Sequence, residues 1–231
     1  MFIKDWMKKD LITVEESDTV LDAMHLMREN RIRRLPVLKK GKLVGIVTEK
    51  DIKGFAPSKA STLDIYEVHN ILAKTPVREV MTKEVITVLP DDPIERAALI
   101  LRDMRFGGLP VVEGGDKIVG IITAVDIFDV FVEAMGMRKP GVRINITTED
   151  KPGAISEIAK TMKMHSLNII SLVTFFFKDR EENKRDIVIR IAGDKNEVQK
   201  AIDELKSIGY NVTNVLQMEG KVTSVYYKDD I

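Results

Sequence analysis

The pattern of apolar and polar positions along the chain changes character near Gly136. Before that point, an extended "ITV" run leads to a polar cluster and an apolar-periodic helix, followed by two β-branched runs around a Gly-containing turn and a second helix. Two β-branched runs joined in this way predict an antiparallel strand pair. The predicted order of elements is β-α-β-β-α.

This β-α-β-β-α pattern occurs twice. The segment "LPVLKKGKLVGIVTEKDI" from Leu35 aligns with "LPVVEGGDKIVGIITAVDI" from Leu109. Upstream, the stretches that begin at Asp5 and Glu79 share a Met, the "ITV" triplet and a run of polar residues that start a helix. The first half of the chain is therefore a duplicated unit.

The chain beyond Gly141 follows another pattern. "VRINITT" alternates like a strand, and the next helix has an apolar stripe of Ile155, Ile158, Ala159 and Met162. The strands "LNIISLVTFFF" and "IVIRIA", the helix "KNEVQKAIDELKSIG" and the strand "NVTNVLQM" follow. The order β-α-β-β-α-β predicts a ferredoxin-like plait, with helices on one face of an antiparallel sheet. The fold class is α+β.

These patterns divide the chain into five parts. A helix predicted from about Leu63 to Ala73, and closed by Pro76, lies between the two repeats. The parts are repeat one (1–60), a helical linker (61–76), repeat two (77–135), the plait (141–219) and a tail (220–231).

Composition narrows the classes of function. Because 36 Lys and Arg balance 36 Asp and Glu, there is no global basic field to recruit nucleic acid or anionic lipid. The absence of Cys excludes disulfides, thiolate zinc sites and Cys nucleophiles. No apolar run approaches the roughly 18 residues of a membrane span, and the chain begins with charged residues. We expect a cytoplasmic protein with neither a nucleic-acid nor a membrane partner.

Motifs for catalysis are missing from the sequence. The three histidines, His25, His69 and His165, lie far apart on predicted helices, with no H-E-x-x-H pair. There is no P-loop, no G-x-G-x-x-G after a strand and no G-x-S-x-G. We expect a protein that is not an enzyme, with no catalytic residues, no metal site and no required cofactor.

A T-x-x-D motif follows the last strand of each repeat, as Thr48 with Asp51 and Thr123 with Asp126. Such a Thr can cap a helix, worth ~1 kcal/mol, with the Asp in the favourable first turn. A strand that runs into a helix N-terminus is also an anion-binding corner, where an Asp can accept two hydrogen bonds from a ribose diol. Spacing alone leaves both interpretations open.

The duplicated "ITV", "LPV" and "GIVTxxDI" motifs resemble a tandem pair of cystathionine β-synthase (CBS) domains, over roughly the first 135 residues. The resemblance implies that AMP, ADP, ATP or S-adenosylmethionine binds between the repeats as a regulatory ligand. Each Asp would hold ribose hydroxyls, and each Thr ribose or phosphate. The first site implied is Ile12, Ile32, Arg33, Arg34, Pro36, Thr48 and Asp51. The second is Ile86, Phe106, Gly107, Pro110, Thr123 and Asp126.

The two repeats differ just before "LPV". The first has Arg33 and Arg34, where the second has Gly107 and Gly108. Arginines there could make charge-assisted bonds to phosphate, which predicts that the first site favours a nucleotide and the second tolerates a less anionic ligand. The alternative is that both arginines follow a helix and only complement its dipole.

The stretch "TEDKPGAISEIAKTMKMHSLNII" resembles the first half of an ACT domain, a plait that binds amino acids at dimer interfaces. The family's usual Gly is Ser166 here, and a His sometimes found early in the loop is Thr148. Pro152 at a first helical position would serve any such plait. The effector site implied by the resemblance is Asp150, Gly153, Ala154 and Asn168.

The order CBS, CBS, ACT resembles acetoin-utilisation proteins of the AcuB type. It implies a non-catalytic regulator that senses an adenosine-containing ligand, with a possible amino acid at the third domain and a link to acetoin utilisation. We expect a homodimer, because "TFFF" (174–177) places aromatic rings on both faces of a strand. The alternative is that the CBS pair or the tail covers these aromatic rings within one chain. The competing function is a dimeric scaffold that regulates a partner protein without binding a ligand.

Overall fold

The computed structural model describes residues 1–55, 64–176 and 183–220. The chain divides into two compact units, Met1–Phe128 and Asp129–Ile231. The first holds repeat one and repeat two as far as Phe128, and the second holds the end of repeat two and the plait. The predictions that rest on Leu63, on Phe177 and on the tail beyond Gly220 lie outside the described residues.

The first repeat has the predicted β-α-β-β-α order. Strand β1 (Val14–Glu15) pairs in parallel with β2 (Arg34–Lys39). Strand β2 pairs antiparallel with β3 (Lys42–Thr48) through a turn at Lys40 and Gly41, which both have positive φ. Two consecutive positive φ values are the geometry of a tight hairpin turn. The bounds are β1 (Val14–Glu15), α1 (Val20–Glu29), β2 (Arg34–Lys39), β3 (Lys42–Thr48) and α2 (Glu49–Phe55).

The second repeat follows the linker helix α3 (Ile65–Lys74) and repeats the antiparallel pair. Its extra turn residue is accommodated by Gly114 and Gly115, both with positive φ. The second "ITV" forms only an isolated bridge, between Val88 and Val111, instead of a strand. The remaining bounds are α4 (Ile94–Asp103), β4 (Gly108–Glu113), β5 (Lys117–Thr123) and α5 (Ala124–Ala134).

The N-terminal segment of each repeat pairs with a strand of the other repeat. Lys8 exchanges two backbone hydrogen bonds with Ile121 of the second repeat, and Thr82 exchanges two with Ile46 of the first. The Met and Gly that both copies share lie at the contacts of this exchange. A Cβ on Gly45 would collide with the Met81 sulfur, and one on Gly120 with the Met7 sulfur. The repeats are thus joined by reciprocal contacts.

The second unit is the predicted plait, with strand order β7-β8-β6-β9 in an antiparallel sheet. Its core lies between one sheet face and the helices, but Ile155 is 38% exposed, so the predicted apolar stripe was wrong there. Ala154, Ile158 and Met162 form the buried stripe instead. The bounds are β6 (Gly141–Glu149), α6 (Ala154–Met164), β7 (Asn168–Phe175), β8 (Lys184–Ala192), α7 (Lys195–Ser207) and β9 (Asn211–Met218).

The helices of both units are short. Within the part of the chain that the structure describes, no helix has the length and apolar character that a membrane crossing would require.

Candidate functional site

Each T-x-x-D motif forms a reciprocal cap at a helix start. The amide of Asp51 donates to Thr48 Oγ1 (3.2 Å), while the amide and hydroxyl of Thr48 donate to Asp51 Oδ2 (2.8 and 2.7 Å). Thr123 and Asp126 repeat this arrangement at 3.4, 2.7 and 2.6 Å. The capping interpretation of the motif is therefore confirmed in both repeats.

A third cap of the same kind starts α1 and was missed from sequence. Thr19 and Asp22 make the same three contacts, at 3.1, 3.1 and 2.6 Å, on the exposed surface. T-x-x-D by itself is thus a capping device in this chain. What sets the other two apart is burial, because Asp126 is only 5% exposed and Asp51 is partly buried.

The second carboxylate oxygen of each Asp is not used by its cap. Asp51 Oδ1 has no hydrogen-bond or ion-pair partner among residues 1–55, 64–176 and 183–220. Asp126 Oδ1 lies 3.8 Å from Lys8 Nζ, which comes from the N-terminal segment of the first repeat. Each motif therefore presents one carboxylate acceptor beyond the cap, and the two acceptors differ in their surrounding charge.

Arg34 extends from the first repeat to the second. Its Nη1 lies 3.4 Å from the Gly108 carbonyl oxygen, and a Cβ on Gly107 would collide with its guanidinium. The "RR" and "GG" of the two copies are therefore complementary in space, which sequence comparison could not show. Burial, with a smaller contribution from Arg33, lowers the pKa of Arg34. Arg33 remains exposed, beside an open cavity in the first repeat.

The predicted apolar residues of the two sites have unequal environments. Ile12 and Ile32 pack partly buried against the core of the first repeat, while Ile86 and Phe106 are 37% and 40% exposed. Pro36 and Pro110 are buried in β2 and β4. Ile32 and Arg33 line a cavity of about 480 Å³ that extends between α1 and α2, and neither Thr48 nor Asp51 lines it.

The predicted effector residues of the plait do not meet within one chain. Asp150 and Gly153 follow the end of β6, where Glu149 pairs with Lys184, whereas Asn168 starts β7 opposite Ala192. Eight residues along β8 separate these two ends by about 27 Å. A site that used all four residues would therefore need a second copy of the chain.

Individually, these residues already have partners or structural roles. Asp150 forms an ion pair with Arg185 at 2.8 Å. Gly153 caps α6 with φ of 95°, a conformation that favours Gly. Buried Ala154 accepts a hydrogen bond from the Tyr210 hydroxyl (3.1 Å), and burial together with Glu157 raises the pKa of Tyr210 to about 12. Asn168 is exposed.

Sequence reasoning also missed the environment of His165. Its Nδ1 lies 3.1 Å from Glu197 and its Nε2 lies 2.7 Å from Glu204, both on α7. Nothing in the sequence indicated this contact, because it joins residues more than 30 positions apart. Among the described residues, no group of three or more His, Asp or Glu side chains has the geometry of a metal site.

Comparison with protein families agrees with this architecture. The CBS-domain model matches residues 3–57 and 77–133, and the model of the TTHA0829-like ACT domain matches residues 140–216. The uncharacterized protein MJ1426 of Methanocaldococcus jannaschii is 35% identical over 156 residues, which are 57% of this chain and 92% of that protein. The chain belongs to the CBS-domain family, as a tandem CBS pair followed by an ACT domain.

Two solved structures are similar to the CBS part. Protein MJ1225 from Methanocaldococcus jannaschii is 30% identical, with a TM-score of 0.51 over 56% of this chain and 47% of that one. A Vibrio cholerae protein named for acetoin utilization (AcuB) is 31% identical over 57% of this chain and 90% of its own, with a TM-score of 0.48. CBS pairs and ACT domains are regulatory modules, which places the chain among regulatory proteins.

Proposed function

We propose that this protein is a non-catalytic regulator that binds an adenosine-containing ligand, such as AMP, ADP, ATP or S-adenosylmethionine, between its two CBS repeats. The observation that carries the proposal is the pair of Thr-Asp caps in which Asp126 is buried, Asp51 is partly buried, and each Asp keeps one carboxylate oxygen outside its cap. A ribose diol can donate two hydrogen bonds to such an acceptor. The third cap, at Asp22, is exposed and offers no comparable enclosure.

Charge around the two acceptors supports different preferences for phosphate. Arg33 and Arg34 belong to the first repeat, and Arg34 reaches the backbone of the second. Lys8 lies beside Asp126, whereas Thr82 occupies the equivalent position beside the first repeat. We therefore extend the predicted second site to include Lys8. The first site keeps the stronger preference for a phosphate because arginine can bind it bidentately.

A ligand at either site would act by favouring one arrangement of the two repeats. Each repeat pairs with the N-terminal segment of the other, so the contacts at one site involve both copies. The ligand shifts the equilibrium only by the difference between its affinities for the two arrangements. Two hydrogen bonds to a carboxylate, at ~1.5 to 3 kcal/mol each, would provide a sufficient difference.

The finer parts of the proposal concern the ACT domain and the cellular role. We propose that an amino acid binds there only in a homodimer, because Asp150 and Asn168 lie at opposite ends of the sheet in one chain. The link to acetoin utilisation rests on the order of domains alone. A cytoplasmic location and a regulated partner protein belong to the same proposal.

Isothermal titration calorimetry with AMP, ADP, ATP and S-adenosylmethionine tests the proposal. Asp51→Asn and Asp126→Asn are each expected to weaken one binding event by about tenfold or more, through the loss of ribose hydrogen bonds. Asp22→Asn is the matched control, because it alters an identical cap and should leave affinity unchanged. Wild-type protein that binds none of the four at millimolar concentration would contradict the proposal.

One observation favours a second candidate, the interaction scaffold. Helix α5 exposes three large apolar side chains, with Val125 at 63%, Phe128 at 68% and Phe131 at 51%. Exposed apolar residues on one helix are typical of a surface that contacts another protein. If no adenosine ligand binds and Phe128→Ser abolishes self-association in analytical ultracentrifugation, the scaffold is the better description.

A further inference from the structure

Two arginines lie on the outer face of the ACT sheet. In β6, Ile144 and Ile146 point into the core with the helices, and Arg143 precedes them with the opposite orientation. In β8, Ile189 and Ile191 belong to the same core, and Arg190 lies between them. Alternation along the strands therefore places Arg143 and Arg190 on the sheet face away from the helices.

These two arginines are direct cross-strand neighbours. Arg143 is the register partner of Arg190, and Ser171 of β7 is the partner of Arg190 on its other side. Directly opposed residues in an antiparallel pair have Cβ atoms about 4.5 to 5.5 Å apart, and like charges in such a pair are destabilising. An arrangement of this kind calls for a compensating negative charge.

Arg190 is buried and lacks hydrogen-bond partners. It is 3% exposed, and its Nε and Nη1 have no acceptor within the described residues. Ser171 provides none, because the one hydrogen bond of its hydroxyl within the described residues is donated to the Met135 carbonyl oxygen and none is accepted from Arg190. Arg143 Nη1 donates to the neutral amide oxygen of Asn145. Burial, and then the charge of Arg143, lower the pKa of Arg190, but an arginine remains protonated in proteins.

No carboxylate within the described residues forms an ion pair with either arginine. The outer-face acid of β8, Asp186, lies four residues along the strand from Arg190, about 13 Å away, where it accepts a hydrogen bond from Thr147. A buried cation without an acceptor is unusual, and an unaccounted ion is one of its recognised explanations.

We propose that Arg143 and Arg190 bind a small oxyanion, a carboxylate or a phosphate group, on the outer face of the ACT sheet. The two guanidinium groups offer such an ion positive charge and N-H donors, and Nε and Nη1 of Arg190 would receive the acceptors that the protein does not supply. The site shares no residue with the proposed CBS ligand sites or with the effector residues Asp150 and Asn168.

Arginine Nε-Hε NMR spectra of the full-length protein test this site directly. Sodium phosphate and sodium acetate are titrated separately, with chloride keeping the ionic strength constant. The Nε resonance of Arg190, assigned by its absence in Arg190→Lys, is expected to shift and saturate. The thermal midpoint is expected to rise by about 2 °C near saturation. A response to phosphate alone identifies a phosphate site, and a response to acetate identifies a carboxylate site.

Variants separate this site from phosphate binding elsewhere. Arg190→Met should abolish the shift in midpoint, and Arg143→Gln should weaken binding at least about fivefold through the loss of one charged contact. Arg138→Gln, an exposed arginine in the same unit, should respond as wild type. Because Arg143 is only half-buried, its variant keeps the test decisive if Arg190→Met folds poorly.

Two results would overturn the proposal. One is an Arg190 resonance that neither anion moves, as expected if a buried water satisfies the donors. The other is an Arg143→Gln variant that binds phosphate as tightly as wild type. Phosphate that binds only at the CBS repeats would leave the Arg190 resonance unmoved and would therefore count as the first result. That result would overturn the oxyanion site and leave the proposed nucleotide binding at Asp51 untouched.

Discussion

At the scale of single residues, the contacts of His165 with Glu197 and Glu204 predict a response of stability to pH. Hydrogen bonds with Glu204, and then with Glu197, raise the pKa of His165 above its ordinary value. A group whose pKa is higher in the folded state stabilises the fold fully below its unfolded pKa, and this contribution is lost as pH rises through the folded pKa. We expect the stability of the ACT unit to fall as pH rises from about 6.5 through the raised pKa.

Urea unfolding of wild type and His165→Gln, each at about pH 6 and about pH 8.5, measures this effect. The wild type is expected to be less stable at the higher pH, and the variant should show a smaller difference between the two. His25→Gln is the control, because His25 is exposed on α1. A His165 variant with the full wild-type difference would show that the two glutamates do not produce the effect.

The sequence alone could predict the two Thr-Asp caps, but not how the surroundings of the two caps differ. The T-x-x-D spacing places each Thr beside the amide of its Asp, a local geometry that sequence specifies. Burial of Asp126, the approach of Lys8 and the reach of Arg34 depend on segments more than 70 residues away. Such contacts follow from the tertiary fold, which periodicity does not encode.

At the scale of elements, the exchange of segments between repeats predicts a coupling between Gly45 and Met81. A Cβ on Gly45 would collide with the Met81 sulfur and lie 3.1 Å from the Thr82 carbonyl oxygen. We expect Gly45→Ala to reduce the free energy of unfolding by about 1 to 3 kcal/mol, as overpacking does elsewhere. In a Met81→Ala background, Gly45→Ala should cost much less, because the clashing sulfur is gone. A double-mutant cycle of unfolding free energies in urea would measure this coupling.

Gly54→Ala provides the control for this cycle. Gly54 lies inside α2, where an added Cβ meets no atom within 4 Å. Alanine is the better helix former there by about 1 kcal/mol, so the variant should be as stable as wild type or more stable. If Gly45→Ala and Gly54→Ala have the same effect, Gly45 is not required for the contact with Met81.

The order of elements was predictable because each has a strong local pattern. Both antiparallel pairs and the plait topology follow from β-branched runs, turn glycines and helical periodicity. The strand predicted at the second "ITV" was wrong, since the segment makes only one isolated bridge, to Val111. The apolar stripe of α6 was placed one position off, with Ile155 in place of Ala154, because several registers of that sequence satisfy helical spacing.

At the scale of the whole molecule, we expect the two units to be stabilised by different ligands. All proposed adenosine contacts lie within Met1–Phe128, and the proposed oxyanion contacts lie within Asp129–Ile231. A ligand that binds only the folded state stabilises the unit that holds it, in proportion to RT ln(1 + [L]/Kd). Each ligand should therefore protect one unit first, and any effect on the other measures the coupling between them.

Hydrogen exchange followed by mass spectrometry can resolve this response by segment. We expect AMP at a hundred times its Kd, worth about 2.7 kcal/mol, to slow exchange in β3, α2, β5 and the start of α5. The protection should be lost at α2 in Asp51→Asn and at α5 in Asp126→Asn, and kept in Asp22→Asn. Peptides from β6 and β8 should change less than these. Protection that is greatest in β6 and β8 would place the adenosine site in the ACT unit, because a bound ligand protects most strongly the backbone that holds it.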